Sequence, residues 1–186
     1  MNQFVTFDED ELKLILPSFQ EKKFKKREFL LKEGEVCNFI GFIAKGCIRH
    51  YHVHDGVERT CYVSFENNWV TDTLSFSEGT KSHNNYQTLE ATTLYTIERN
   101  TLYELYKKCP KFESLARIMN ERLAKLTIEL CVSLASYPPE ERYKNLLKQQ
   151  PEIFQRVPQR YIAHILGIQP ESLSRIKNRL ASNRFS

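Results

Sequence analysis

PQRYIAHILGIQPESLSRIKNRL, running from Pro158 to Leu180, decides the reading of this chain. Apolar residues fall at Ile162, Leu166, Ile168, Leu173 and Ile176, with the small Ala163 where two helices would cross. Gly167 marks a tight turn between two helical spacings. Pro170 fits the first position of the second helix, where its missing N–H costs nothing. Two short helices joined in this way form a helix-turn-helix, whose second helix lies in the major groove of DNA. Leu173, Ile176 and Leu180 point to the core, which leaves polar side chains for the other faces. Arg175 is the first choice for base contact, because a guanidinium pairs bidentately with guanine; Glu171 and Ser172 come next. Gln159, Arg160, Lys177 and Arg179 are expected to hold phosphates, with Gln169 also facing the DNA.

Upstream, Tyr137-Pro138-Pro139 breaks the chain before a helix expected over 139–149 and the segment Pro151–Arg156. The spacing before that break predicts a long helix over 111–135 after Pro110. Leu115, Met119, Leu123, Leu126 and Leu130 share a narrow stripe on it. Five long apolar side chains in a stripe need a partner. The reading taken is a symmetric helix pair at a dimer interface; packing against the chain's own core is the alternative. Asn100–Cys109 reads as a short helix capped by Asn100 or Thr101.

From Phe24 to Ile97 the texture is β-rich. Short runs such as NFIGFIAKG, CIRHYHVHDG, ERTCYVSF, NNWVTDT and YQTLEATTLYTIE are punctuated by Gly34, Gly46 and Gly56. Asp55-Gly56 is a strong hairpin signal. The pattern implies an antiparallel, jelly-roll-like β-roll. Residues 8–20 read as a helix capped by Asp8 and ended by Pro17, and Lys22 to Arg27 as a solvated basic segment. The fold class expected is α+β. A β-roll sensor domain spans 1–110, a dimerisation helix 111–136, and a helix-turn-helix domain 137–186. Few residues follow Leu180, so a wing after the motif is expected to be reduced or absent.

Composition bounds the rest. The 186 residues carry 27 Lys and Arg against 23 Asp and Glu, a net charge of +4. From Pro138 onward there are nine Lys and Arg against four Glu, so the excess is concentrated in the C-terminal part. No apolar run approaches the roughly 20 residues of a membrane span. The acidic opening MNQFVTFDEDELK is not a secretory signal, so a cytoplasmic protein is expected. Five scattered cysteines without a CxxC pair argue against a disulfide framework and against a four-cysteine cluster. Most are expected to be reduced and buried. No P-loop, GxSxG or HExxH is present, so no enzyme is expected, and no cofactor.

The order of parts resembles the Crp/Fnr family of transcription regulators. LLKEGEVCNFIGFIAKGCIRHY is similar to the family's β-roll signature, with Gly34 and Gly46 at its structural glycines, and VPQRYIAHILGIQPESLSRIKNRL to its helix-turn-helix. The resemblance implies a homodimer that senses an effector in the roll and swings the DNA-binding helices through the long helix. It places Glu171 and Arg175 at base-reading positions, while Pro170 departs from the basic residue often found there.

The resemblance also locates an effector pocket, in degenerate form, at Thr71, Asp72, Thr73, Lys81, Asn84 and Asn85. Thr71-Asp72 stands where cyclic-nucleotide-binding members carry Gly-Glu, and Asn84-Asn85 stands near their Arg-Ser. No arginine lies between Arg59 and Arg99. A buried cyclic phosphate would lack its bidentate partner, with Lys81 as a flexible substitute, so no tight binding of cyclic AMP is expected. The expected partners are double-stranded DNA with a near-palindromic operator, a second copy of the chain and RNA polymerase. An effector is unidentified or absent, and no membrane partner is expected.

One competing pattern stands in the roll. His50, His52 and His54 alternate on a strand and share a face. Gly46, His52, His54 and Glu58 give G-x5-H-x-H-x3-E, close to the metal motif of cupin enzymes, although Phe65 replaces that pattern's closing glycine. Solvated histidines near the hairpin end are the reading taken. A metal-sensing regulator or a cupin-like metal-binding protein using His50, His52, His54 and Glu58 is the alternative.

Overall fold

A computed structural model describes residues 5–182. The N-terminal part is a pair of four-stranded antiparallel sheets flanked by helices. Helix α1 (Glu9–Ile15) starts at Asp8, whose side chain accepts from Glu11 N while Glu11 reaches back to Asp8 N, a reciprocal capping box. A 3-10 turn over Leu16–Ser18 replaces the rest of the expected 8–20 helix, because Pro17 cannot donate to an α-helical ladder.

The strands are β1 (Gln20–Phe24), β2 (Phe29–Leu31), β3 (Phe39–Lys45), β4 (Ile48–His54), β5 (Val57–Ser64), β6 (Trp69–Val70), β7 (Asn85–Thr88) and β8 (Thr92–Glu98). One sheet runs β1-β8-β3-β6 and the other β2-β7-β4-β5. The α+β class and the antiparallel roll read from the sequence are both present. The basic segment at Lys22 belongs to β1, an edge strand paired from Gln20↔Thr96 to Phe24↔Thr92. Lysines on an exposed edge discourage strand addition by another chain. The run NNWVTDT is strand only at Trp69–Val70. Asp72 then caps helix α2 (Thr73–Glu78), which the strand reading missed.

Two turns depend on unusual backbone. Asp55 and Gly56 both have positive φ, 51° and 73°, as a two-residue hairpin of primed type requires between β4 and β5. Gly46 has φ 106°, and a Cβ there would lie 2.7 Å from Thr92 Cα, so only glycine fits.

The chain forms two compact units. The first comprises the residues up to His50 with Val63–Leu126, the second Tyr51–Tyr62 with the residues from Thr127 on. The core of the first gathers Ile43, Ile48, Leu94 and Ile97 from the sheets with Leu102, Leu105, Phe112 and Leu115 from α3 (Arg99–Lys108) and α4 (Pro110–Ser136). Glu98, not Asn100 or Thr101, stands at the N-cap of α3. Burying each of these side chains contributes about 1.5–3 kcal/mol before entropy.

The second unit contains α5 (Pro139–Gln149), α6 (Ile153–Arg156), α7 (Gln159–Ile165) and α8 (Pro170–Ser182). Tyr143, Ile153, Ile162, Ala163, Leu166, Leu173 and Ile176 are among its buried side chains, and the Tyr143 and Phe154 rings meet edge-on at 5.1 Å. The question of a wing after α8 lies outside the described residues.

Candidate nucleic-acid interface

Helix α7 opens after Pro158 with Gln159 and Arg160 exposed. The Arg160 guanidinium stacks on the Tyr161 ring at 4.6 Å and donates to Tyr161 Oη at 2.7 Å, so its stem is held while its charge stays at the surface. The helix ends in a Schellman turn: Ile168 N donates to Ala163 O and Gly167 N to His164 O, both at 2.9 Å. Gly167 supplies the left-handed backbone, φ 64°, that this turn needs. The Arg142 guanidinium on α5 caps the same end, donating from Nε to Leu166 O at 3.0 Å, and its Nη1 donates to Tyr137 O, just past α4, at 2.7 Å.

Helix α8 begins at Pro170, and Ser172 N and Leu173 N donate to Gln169 O. Leu173 is fully buried and Ile176 nearly so. At 100° per residue the opposite face carries Glu171, Arg175 and Asn178, all exposed. Ser172 and Arg179 flank that face. Lys177 falls on the other flank, half-buried, and Gln169 is exposed just ahead of the helix. Arg179 is engaged: its Nη2 pairs with Glu140, which also accepts from Lys144 Nζ at 2.8 Å. Those two cations hold the Glu140 carboxyl below its usual range, the Lys144 hydrogen bond being the larger influence. A phosphate at Arg179 would therefore compete with Glu140.

The residues expected to pair two chains separate along α4. Leu115 is 2% exposed inside the core of its own chain, and Met119 packs against that core. Leu123 and Leu126 are 45% and 51% exposed, and Leu130 is half-buried. Leu134 continues their stripe at 43%. The open apolar surface thus begins where the helix leaves the roll's core.

Of the expected effector residues, Asp72 and Asn84 are brought into direct contact. Asp72 is buried, and its Oδ1 accepts from Ser75 N at 3.0 Å. Its Oδ2 accepts from Ser82 Oγ at 2.7 Å and from Asn84 Nδ2 at 3.1 Å. Burial raises the carboxyl pKa, but the hydrogen bonds from Ser82, Ser75, Asn84 and Leu74 outweigh it and hold the group below its ordinary value. Thr71 Oγ1 donates to Phe39 O at 2.9 Å. Thr73 is exposed at the first position of α2. Asn85 accepts from Glu33 N at 3.1 Å. Lys81 is exposed and bridges Val36 through the backbone.

Sequence reading missed Ser82 and Ser75. Asp72-x-x-Ser75 is a helix-cap spacing that could have revealed α2. It also missed Arg99, whose guanidinium lies over the Phe76 ring at 5.0 Å and donates to Cys37 O and Ser75 O, tying α3 to α2. A cavity of about 220 Å³ lies elsewhere in the roll, lined by Phe24, Leu30, Phe39, Leu94 and Thr96 among others.

The histidines do not make a metal centre. Among the described residues no group of three or more His, Cys, Asp or Glu side chains is placed to hold a metal ion. His50 is not solvated as expected: its ring packs on Tyr86 at 4.5 Å and Nε2 lies 2.9 Å from Ser64 Oγ. Burial pushes its pKa down to about 4, against the pull of the Asp72 carboxylate. His52 Nδ1 meets Cys61 Sγ at 3.1 Å, His54 pairs with Asp55 at 3.5 Å, and Glu58 is exposed. Successive strand residues on one face find different neighbours here, so alternation alone did not make a ligand set. None of the five cysteines is in a disulfide; Cys37, Cys47 and Cys109 are buried, and Cys61 and Cys131 are exposed.

Among the described residues no helix is long and apolar enough to cross a membrane. Residues 21–109 match the family model of the cyclic nucleotide-binding domain. No curated protein matches the sequence. Solved structures do. FixK2 from Bradyrhizobium japonicum superposes with a TM-score of 0.76 at 15% identity, covering 89% of this chain and 85% of its own. CLP of Xanthomonas campestris, a c-di-GMP-responsive global regulator, gives 0.73 at 17% identity, covering 95% and 93%. A transcriptional regulator of the Crp/Fnr family from Eubacterium rectale gives 0.66 at 18% identity, covering 95% and 85%. At these identities the likeness is one of fold, and it is the fold that the sequence motifs implied.

Proposed function

We propose that this chain, with a cyclic nucleotide-binding domain over residues 21–109 and the fold of the Crp/Fnr regulators, is a homodimeric, sequence-specific DNA-binding transcription regulator. The observation that carries the reading is α8. One face is buried through Leu173 and Ile176, and the other offers Glu171, Arg175 and Asn178 to a partner. That pairing of an anchored face with a face of base-reading side chains suits a helix seated in the major groove. Arg175 and Glu171 read bases, Ser172 serves either a base or a phosphate, and Gln159, Arg160, Gln169, Lys177 and Arg179 contact the backbone. In this reading 1–110 is the sensor domain, 111–136 the pairing helix and 137–186 the DNA-binding domain.

Two chains joined along Leu123, Leu126 and Leu130 set their recognition helices roughly one DNA turn apart on a near-palindromic site. The protein works in the cytoplasm, beside RNA polymerase, and not as an enzyme. It does not respond to cyclic AMP. Support comes from the missing arginine between Arg59 and Arg99 and from the hydrogen-bonded, buried state of Asp72.

The experiment is a selection of bound sequences from random duplex DNA with the purified chain, followed by titration of the enriched site at several salt concentrations. A two-fold-related motif bound about 10³-fold more tightly than random DNA supports the reading. Equal, salt-sensitive binding to every duplex rejects it. Calorimetry with cyclic AMP tests the second part; micromolar binding would reject it.

A further inference from the structure

The thiol of Cys61 stands beside an imidazole at the surface of the β4–β5 hairpin. His52 Nδ1 lies 3.1 Å from Cys61 Sγ, across the two neighbouring strands. His52 is half-buried, and Cys61 is open to solvent, whereas Cys37, Cys47 and Cys109 are buried. The thiolate is the nucleophilic form of a cysteine. An imidazole within hydrogen-bond reach takes the thiol proton and holds the thiolate as an ion pair.

The pair borders the helix-turn-helix within the second unit, which contains Tyr51–Tyr62. Thr60 N, next to Cys61 in the chain, donates to His164 Nδ1 on α7 at 3.4 Å. Arg59 shares a face of β5 with Cys61, because side chains alternate along a strand. On that face Arg59 lines a depression of about 320 Å³ together with His164, Gly167, Ile168 and Gln169. Small-molecule pockets span about 300–1,000 Å³, so the depression has room for a small organic group. Its far wall is the turn that leads into α8.

We propose that Cys61 is a modification site at which low-molecular-weight disulfides leave a mixed disulfide, and that the attached thiol group enters the depression beside Gln169 and weakens DNA binding. The step is a thiol–disulfide exchange. The Cys61 thiolate attacks one sulfur of the disulfide, a new S–S bond forms at Sγ, and the original S–S bond breaks. The departing thiolate carries away the electron pair and takes the proton held on His52. Cys61 is oxidised, and the small disulfide is reduced to one attached and one free thiol group. Excess free thiol runs the exchange backwards. The effect on DNA rests on the reading of α7 and α8 as a DNA interface; the exchange itself does not.

The probe is oxidised glutathione, applied near neutral pH to the full chain carrying Cys131→Ser, which removes the other exposed thiol. Peptide mass spectrometry follows the adduct at Cys61 with time. The adduct is expected at Cys61, and to form about tenfold faster than in the same chain with His52→Gln. Urea separates His52 from Cys61 without a substitution, and the rate at Cys61 is expected to fall there by a similar factor, so the comparison holds even where His52→Gln does not fold. The affinity of the adduct-bearing chain for its selected duplex is expected to drop about tenfold and to return with dithiothreitol. Cys61→Ser treated in the same way is expected to keep its affinity.

Absence of the adduct at Cys61 overturns the site, as does a rate that folded His52→Gln or urea leaves unchanged. An adduct that leaves the affinity for the selected duplex as it was overturns the effect on DNA. A chain that takes the adduct yet binds every duplex alike, with or without reductant, rejects the functional reading underneath while the modification site stands.

Discussion

The hydroxyl of Ser82 donates to the buried carboxylate of Asp72 at 2.7 Å, joining the lead-in of β7 to the cap of α2. A buried charge that loses one of its donors keeps its desolvation cost. Ser82→Ala is therefore expected to lower stability by about 1–3 kcal/mol. Urea unfolding measures it; a change within about 0.3 kcal/mol would show that the network does not need this bond.

Arg175 projects from the exposed face of α8. Arg175→Ala is expected to cost about 1–3 kcal/mol of DNA affinity and to relax discrimination at one base position per half-site. Competition binding against single-position operator variants reads this directly. Uniform weakening across all variants would instead make Arg175 a phosphate contact.

Leu126 is 51% exposed within a single chain. Leu126→Asp is expected to leave the roll folded while converting dimers to monomers that bind DNA poorly, because a carboxylate at a paired stripe is desolvated without a partner. Sedimentation velocity together with circular dichroism checks both halves. A variant that stays dimeric places the interface elsewhere.

Gly167 stands at φ 64°, and an added Cβ would lie 3.2 Å from Leu134 Cδ2. Gly167→Ala is expected to cost about 1–2 kcal/mol through backbone strain, with crowding of Leu134 added. Thermal unfolding would show the loss; an unchanged Tm would mean that the turn relaxes without cost.

The imidazole of His50 is held neutral, with its pKa lowered to about 4. Between pH 6.5 and about 4 the unfolded chain binds a proton that the folded chain refuses, so stability is full above pH 6.5 and falls as pH drops through this window. The loss is at most about 3.5 kcal/mol. Asp72 also favours the fold when ionised, but its loss begins only below its unfolded value of 3.8. Urea midpoints across this range should slope in the native chain and flatten in His50→Phe. A slope unchanged by that substitution would assign the effect to other groups.

The legible parts of this chain were those governed by local rules. The Schellman turn follows from Gly167 and the apolar spacing around it, the hairpin from Asp55-Gly56, and the long helix from its stripe. Asp8 was readable as a cap because its partner, Glu11, is three residues away. What stayed hidden depends on contacts distant in sequence. Nothing near Ser82 announces Asp72 ten residues earlier, and nothing near Arg142 announces the carbonyl of Leu166. The three alternating histidines looked equivalent because a strand repeats every two residues. Tyr86 and Ser64 enclose His50, while His54 meets only its chain neighbour Asp55 among the contacts described. Leu115 and Leu126 share a stripe, yet the roll's own helices and sheets cover only the first. Periodicity gives the face of a helix, and tertiary packing decides how far along it the covering extends.

The exposure of Leu123 and Leu126 on α4 has a cellular corollary. If operator binding requires two chains joined there, occupancy at low abundance grows with the square of the number of chains per cell. A twofold rise in synthesis then counts about fourfold at the promoter. Under that reading, gene dosage and proteolysis become the dials that set the output.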